Sequence, residues 1–308
     1  MSAAAPVDNP RLGIALMILS TAIFACQDAI SRHLGSHYSV ITVVAIRFWF
    51  FAAFVVALAA TRGGGVRKVA RSSRPGLQIL RGLLLAAEVV AMVFIFVHLG
   101  LIGTHAVFAV YPLLVAALAG PVLGEYVGWR RAAAIGVGLV GVLIILRPGF
   151  QVFSPWAFGA LLSALAFAVY GLLTRMLASI DGAETSFFWT GVAAAGGMTL
   201  AAPFAWTPIT DPFDMALMGV LCLTAIAGHF VLIKAYSVAE AGVIQPFSYF
   251  QLLFIGVIGY TLFGERPDGW TLVGAGVILS AGLYALIREA RLARAARRAA
   301  RRPPPAPR

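Results

Sequence analysis

The sequence predicts an all-α membrane protein of ten transmembrane helices, arranged as two inverted five-helix repeats. Of 308 residues, 61% are hydrophobic and only 11% charged, with a mean hydropathy of +0.92, so the charges are too few to cover a water-facing surface. The apolar stretches approach or exceed the roughly 20 residues that a helix needs to cross a hydrocarbon layer of about 30 Å, and they lack the alternation of outer-membrane barrels. Two stretches also repeat each other. Gly124-Glu125 is followed by Trp129, Gly136, Gly138 and Gly141, and Gly264-Glu265 by Trp270, Gly274, Gly276 and Gly282, with the two glutamates 140 residues apart.

The spans follow in order. Residues 12–31 come after Arg11 and are longer than the apolar region of about 7 to 15 residues in a signal peptide, so they read as a first helix. Residues 39–61 end at a basic run, and 76–97 follow it. Only glycines, a threonine and a histidine between His98 and Thr104 separate 76–97 from 103–123. Residues 129–146 complete the first half; 155–178, 185–203, 213–236, 242–263 and 269–287 form the second. The domains are a cytoplasmic tail (1–11), a first repeat (12–147), a second repeat (148–288) and a basic cytoplasmic tail (289–308). That tail has no apolar face and is expected to be disordered beyond its first turns. Cys26 and Cys222 lie inside spans without metal-type spacing and read as small buried residues.

The net charge of +11 is distributed as a membrane topology signal. With the N-terminus inside, nineteen lysines and arginines fall on the inner side and three, Arg32, Arg147 and Arg266, on the outer side, with Arg47 within a span. Both termini are therefore expected in the cytoplasm and the protein in the inner (plasma) membrane. No aromatic residue is interleaved with the C-terminal arginines for base stacking, which argues against nucleic acid as a partner; anionic lipid suits them better. Five spans per half is odd, so the halves enter the membrane from opposite sides. The Glu125 loop is then cytoplasmic and the Glu265 loop external.

Each half has an apolar helix ending in Gly-Glu, a short polar turn and a glycine-rich last helix. With Asp28-Ala29-Ile30-Ser31-Arg32, Arg47, Gln245-Pro246-Phe247-Ser248-Tyr249, Phe263-Gly264-Glu265-Arg266-Pro267-Asp268 and Gly282-Leu283-Tyr284, the chain resembles the EamA family of the drug/metabolite transporter superfamily over residues 12–289. The resemblance implies a carrier. Members export amino acids, including aromatic amino acid exporters of the YddG type, and others move riboflavin, S-adenosylmethionine or other small metabolites.

An ionisable side chain in a span costs roughly 2.5 to 3.5 kcal/mol, so each is expected to have a partner, a wet cavity or a task. Asp28 and Arg47 read as a structural ion pair or part of an external gate. Glu88, mid-span, has either Arg81 as a partner two turns earlier or a cavity role, contacting a substrate ammonium or carrying a proton. His229 lies in the span related to that of Glu88 by the inverted symmetry, so the two are expected to face one central space. His98 and His105 read as outer interface residues, and His33 and His37 as loop residues without discernible chemistry. Pro112 and Pro246 interrupt related spans, a pointer to a binding site, although they precede their glutamates by 13 and 19 residues and so lie at different depths. Around them Phe108, Tyr111, Gln245, Ser248, Tyr249 and Gln251 supply rings and neutral hydrogen-bonding groups suited to a zwitterionic or aromatic solute, with Phe167 and Tyr170 as further rings. Glu125 and Glu265 are expected to fix the turn into the next helix by accepting from its first amides.

No Walker loop, His-Glu-x-x-His or nucleophile elbow is present, and no metal site or cofactor is expected. The reading is a secondary carrier working by alternating access, an exporter of amino acids first and a carrier of riboflavin, S-adenosylmethionine or another metabolite second. An intramembrane enzyme or a channel is the alternative class. Its partners are a small-molecule substrate and the bilayer, and a monomer is compatible with everything in the sequence.

Overall fold

A computed structural model describes residues 9–123, 129–147, 154–178, 180–239 and 244–300, and all regular structure among them is helical. The helices are α1 (Pro10–His37), α2 (Val40–Ala60), α3 (Gly65–Val69), α4 (Pro75–Leu99), α5 (Leu101–Phe108), α6 (Tyr111–Leu123), α7 (Trp129–Leu146), α8 (Pro155–Ala178), α9 (Ala183–Ala201), α10 (Pro212–Val238), α11 (Phe250–Phe263) and α12 (Gly269–Ala300). Two 3-10 turns, Ala202–Phe204 and Gln245–Tyr249, complete the set.

The helices begin where local chemistry favours it. Asn9 accepts from the Leu12 amide at 3.1 Å ahead of Pro10, and Asp211 accepts from the Phe213 and Asp214 amides at 2.9 and 3.0 Å ahead of Pro212. Asp268 accepts from the Thr271 amide at 2.9 Å to start α12. α11 stops at Gly264, whose φ of 63° closes the helix in the left-handed region.

Among the described residues, six helices are long and apolar enough to cross a membrane by length and composition, and four further apolar stretches of 10–17 residues are shorter. Two breaks interrupt the helices of the first half. Gly100 (φ 83°) separates α4 from α5, a one-residue boundary inside the expected gap, and Ala109-Val110 separate α5 from α6 just before Pro112. Pro121, inside α6, was not singled out from the sequence. α1 runs on to His37, so His33 and His37 are helical, not loop residues. α12 continues to Ala300, thirteen residues past the expected end; its alanine- and arginine-rich extension favours helix strongly enough to need no apolar face.

Packing joins the two halves of the chain throughout. α1 packs along α10 and α4 along α8; α2 lies against α9 and α7 against α12. Small residues permit this closeness. Ala160, Ala164 and Ala168, one turn apart on α8, are fully buried, and Gly141 and Gly274 meet backbone to backbone, each blocking where the other's Cβ would stand. Outward, Leu200, Phe204, Phe213, Phe230, Leu253 and Leu262 are exposed, as are Trp129, Trp206 and Trp270. In water such a surface would be an aggregation hazard, and in lipid it is the expected exterior of an integral membrane protein.

Candidate functional site

The break at Gly100 organises one end of the site. It leaves the first amides of α5 without intrahelical partners, and the Glu265 carboxylate fills the position: Oε1 accepts from Leu101 N and Oε2 from Ile102 N, both at 2.7 Å. Arg32 of α1 donates to the same Oε1, and its guanidinium lies 4.1 Å over the Phe263 ring. A Cβ on Gly100 would stand 2.7 Å from that carboxylate, so both the positive φ and the close approach require glycine. Glu265 therefore caps a helix of the other half and not the following helix, which Asp268 caps. Glu125 lies outside the described residues.

One turn further in, Asp28 of α1 meets His105 of α5. Asp28 Oδ2 is 3.2 Å from His105 Nε2 and accepts from Gln251 Nε2 at 3.1 Å. His105 Nδ1 is 3.1 Å from the Leu101 carbonyl, and the ring stacks on Phe96 at 5.3 Å. The expected Asp28–Arg47 ion pair is replaced by this one, and His105 is a buried interior residue, not an interface residue. The interface reading fits His98, which is exposed and stacks on Trp156. Position in sequence misled here: His105 lies near the start of a span, but the early break at Gly100 places it a full turn inside α5.

Arg47 is 6% exposed and has Asp28, Glu88 and His229 within electrostatic reach. Gln27, in the amide orientation that satisfies both groups, accepts from its Nη1 and Nη2 at 3.3 and 3.0 Å. Glu88 makes no hydrogen bond or ion pair to the described residues, and it lines an apolar groove of about 650 Å³ between α4 and α8 with Leu84, Phe94, Trp156, Phe158 and Leu162. Arg81 is not its partner. That guanidinium binds Gln78, Thr174, the Ser186 carbonyl and Thr190 instead. His229 contacts the Ala225 carbonyl through Nδ1 at 2.8 Å and packs on Phe24 and Phe51.

The rings form a continuous set beside these groups. Phe108 lies 5.3 Å from Tyr111 and 5.5 Å from Phe167; Phe167 lies 5.2 Å from Tyr111 and 5.8 Å from Tyr170. All four are half-buried, and His105 touches Phe108 at 6.2 Å. Ser248 hydrogen-bonds the Tyr111 side chain, while the buried Tyr249 hydroxyl has no partner among the described residues and occupies the space left by Gly282. Pro112 is the second residue of α6, immediately after the break. The Gln245 and Pro246 side chains lie outside the described residues, although their backbone forms the 3-10 turn that leads into α11. Thus Phe108, Tyr111 and Ser248 converge, Gln251 joins through Asp28 and His105, and Glu88 and His229 each lie within electrostatic reach of Arg47 without a hydrogen bond or ion pair to it.

A second polar network ties α4 to the α8–α9 connection at the opposite end. Asp181 accepts from Ser72 Oγ, Gln78 Nε2 and the Ser73 amide at 2.5, 2.8 and 3.2 Å. Burial alone would raise the Asp181 carboxyl, but these hydrogen bonds outweigh it and hold the group below its ordinary range. Sequence reasoning missed this cluster. Its only signal was Gln78 and Arg81 at helical spacing in an apolar span. No group of three or more potential metal ligands exists among the described residues.

A family model of EamA-like transporters matches residues 11–147 and again 154–287. An S-adenosylmethionine uptake transporter of Rickettsia prowazekii (strain Madrid E) is 26% identical over 90% of this chain and 93% of its own. A riboflavin transporter of Rhizobium johnstonii is 30% identical over 91% of this chain and 92% of its own. A crystal structure sharing 19% identity covers 92% of this chain and 98% of its own with a TM-score of 0.60, a likeness of fold. The chain belongs to the EamA-like transporter family, a membrane transporter whose relatives carry small metabolites.

Proposed function

We propose that the chain is a secondary carrier of the inner membrane, with ten spans in two inverted repeats (12–147 and 148–288), both termini in the cytoplasm, and alternating access about a central site. The packing supports this arrangement. Under the symmetry the first span corresponds to the sixth and the third to the eighth, and the pairs α1 with α10 and α4 with α8 exchange accordingly; α2 with α9 and α7 with α12 each map onto themselves. The charge distribution supports the orientation.

The substrate we assign is a metabolite that carries an amino acid group and a flat ring. The observation behind this is a buried arginine and a buried acid, Arg47 and Glu88, within electrostatic reach of each other, together with the core-packed rings Phe108, Phe167 and Tyr170. Arg47 suits a carboxylate and Glu88 an ammonium, while the rings and the Ser248, Tyr249 and Gln251 groups suit an aromatic part. S-adenosylmethionine has both parts, and the Rickettsia relative transports it. Export of aromatic and other neutral amino acids uses the same groups and is the second reading. A thermal-unfolding screen of the purified chain with S-adenosylmethionine, tryptophan, leucine and riboflavin tests this. Stabilisation by S-adenosylmethionine is expected, about 2.7 kcal/mol at a hundredfold excess over its dissociation constant. Tyr111→Ala and Glu88→Gln should fold yet lose the effect. Stabilisation by riboflavin alone would overturn the amino acid requirement.

A further inference from the structure

We propose that Asp28 and His105, bridged by Gln251, form the proton-coupling site of this carrier, holding one exchangeable proton between α1 and α5 directly beneath the Arg32–Glu265 closure. The inference rests on the carrier reading above, but its proton-holding pair, Asp28 and His105, is not among the side chains assigned to substrate.

The hydrogen-bond inventory leaves room for one proton and favours its presence. A carbonyl oxygen only accepts, so the contact of His105 Nδ1 with the Leu101 carbonyl at 3.1 Å commits Nδ1 to carrying a hydrogen. In neutral His105 the other nitrogen, Nε2, then presents a lone pair. Nε2 faces Asp28 Oδ2 at 3.2 Å, and a carboxylate there also only accepts. Two acceptors at that distance repel; the Gln251 amide offers each a hydrogen at 3.1 and 3.4 Å, and a proton in the direct contact, as a carboxyl donating to Nε2 or as an imidazolium donating to the carboxylate, makes the contact itself favourable. His105 is 5% exposed and the Asp28 side chain 16%, so the contact is largely shielded from water. Gln251 donates to the same Oδ2 and lies 3.4 Å from Nε2, where it tethers α11 to the pair.

The position connects the proton to opening. Asp28 and Arg32 are one turn apart on α1, as are His105 and Leu101 on α5. Leu101 belongs to both links: its amide donates to Glu265 and its carbonyl receives Nδ1. Losing the proton leaves facing acceptors that push α1 from α5 below the Arg32–Glu265–Leu101 bridge, which spreads the two first-half groups that Glu265 of the second half clamps together and so loosens the link between halves at the end we assign to the outside. Proton occupancy and outward opening then oppose each other, the relation a coupled carrier needs.

The charged surroundings are few. From α2 and α4, Arg47 and Glu88 lie within electrostatic reach of Asp28, and Arg32 with Glu265 lies one turn above. From α10, His229 and Cys222 lie beyond Arg47. α6, α8 and the 3-10 turn contribute the tyrosines Tyr111, Tyr170 and Tyr249, and α11 contributes neutral Gln251 and exposed Tyr260. α7 and α12, which also border α5, keep their charges at their ends, at Arg130, Arg131, Arg147 and Arg288.

The test uses the full chain in liposomes and labelled S-adenosylmethionine as probe. The readout is the ratio of accumulation driven by a pH gradient to exchange at equal pH on both sides. The wild type is expected to accumulate probe on the gradient, whereas Asp28→Asn and His105→Gln bring the ratio down to the value without a gradient. Variants that keep the wild-type ratio overturn the proposal. If the wild type exchanges no probe, the substrate assignment fails, and the proton site is judged by nitrogen-15 NMR of labelled histidines instead. There a His105 signal whose titration changes in Asp28→Asn supports the shared proton, and an identical titration in both proteins refutes it.

Discussion

Removing the Glu265 side chain would strand three donors at once: the Leu101 and Ile102 amides and the Arg32 guanidinium. Each buried amide left unpaired costs about 1 to 3 kcal/mol, so Glu265→Ala should lower thermal stability clearly, while Glu265→Gln keeps one acceptor and loses less. Equal stability of Glu265→Ala and wild type in a detergent melt would contradict this placement. Asp181 gives the pH counterpart. Its folded-state value lies below its ordinary one, so its contribution to stability is complete above the unfolded value and is lost as pH falls through the folded value. Wild type should therefore lose stability on acidification into and below the ordinary carboxylate range, and Asp181→Ala, already weaker by on the order of 1.5 to 3 kcal/mol, should lose less over the same range. Melts at stepped pH decide it. Legibility at this scale was uneven. Asp28, Glu88 and Arg47 stood out because charge in an apolar span is costly, yet their partners did not follow, since spacing along one helix says nothing of which helix lies opposite. His105 was misplaced for the same reason.

The glycines of the twin motifs separate into two kinds. Gly141 and Gly274 face each other across α7 and α12, and a Cβ on either would stand 2.8 or 2.7 Å from the other's carbonyl oxygen. Gly136 and Gly276 face open space. Gly141→Val or Gly274→Val should force the helices apart at a cost of about 1 to 3 kcal/mol or more and reduce the yield of folded protein. Gly136→Ala and Gly276→Ala should leave stability unchanged or raise it by up to about 1 kcal/mol. Size-exclusion profiles of the four variants test the division, and equal behaviour of all four would refute it. The six long apolar helices were legible because hydropathy reports burial in lipid directly. The breaks were less so: the proline at 112 marked the α5–α6 interruption, whereas the α4–α5 boundary needed one glycine at φ 83° and a carboxylate from 164 residues away.

At the scale of the whole molecule, two ion pairs and one hydrogen-bond contact at one end each join a first-half residue to a second-half one: Arg32 to Glu265, Arg147 to Asp268, and His33 to Asp214. Ser72 and Gln78 do the same through Asp181 at the other end. Both ends thus carry polar links between halves, which the proposed alternating access would break in turn. The repeat was legible from the paired Gly-Glu stretches, but the chemistry of the substrate was not, because rings and small polar groups serve packing as readily as binding. The central claim, a carrier for an amino-acid-bearing metabolite, is tested most directly by counterflow in liposomes loaded with unlabelled S-adenosylmethionine. The account predicts saturable uptake of labelled probe against its gradient, abolished in Glu88→Gln, and uptake that does not depend on internal substrate would contradict it.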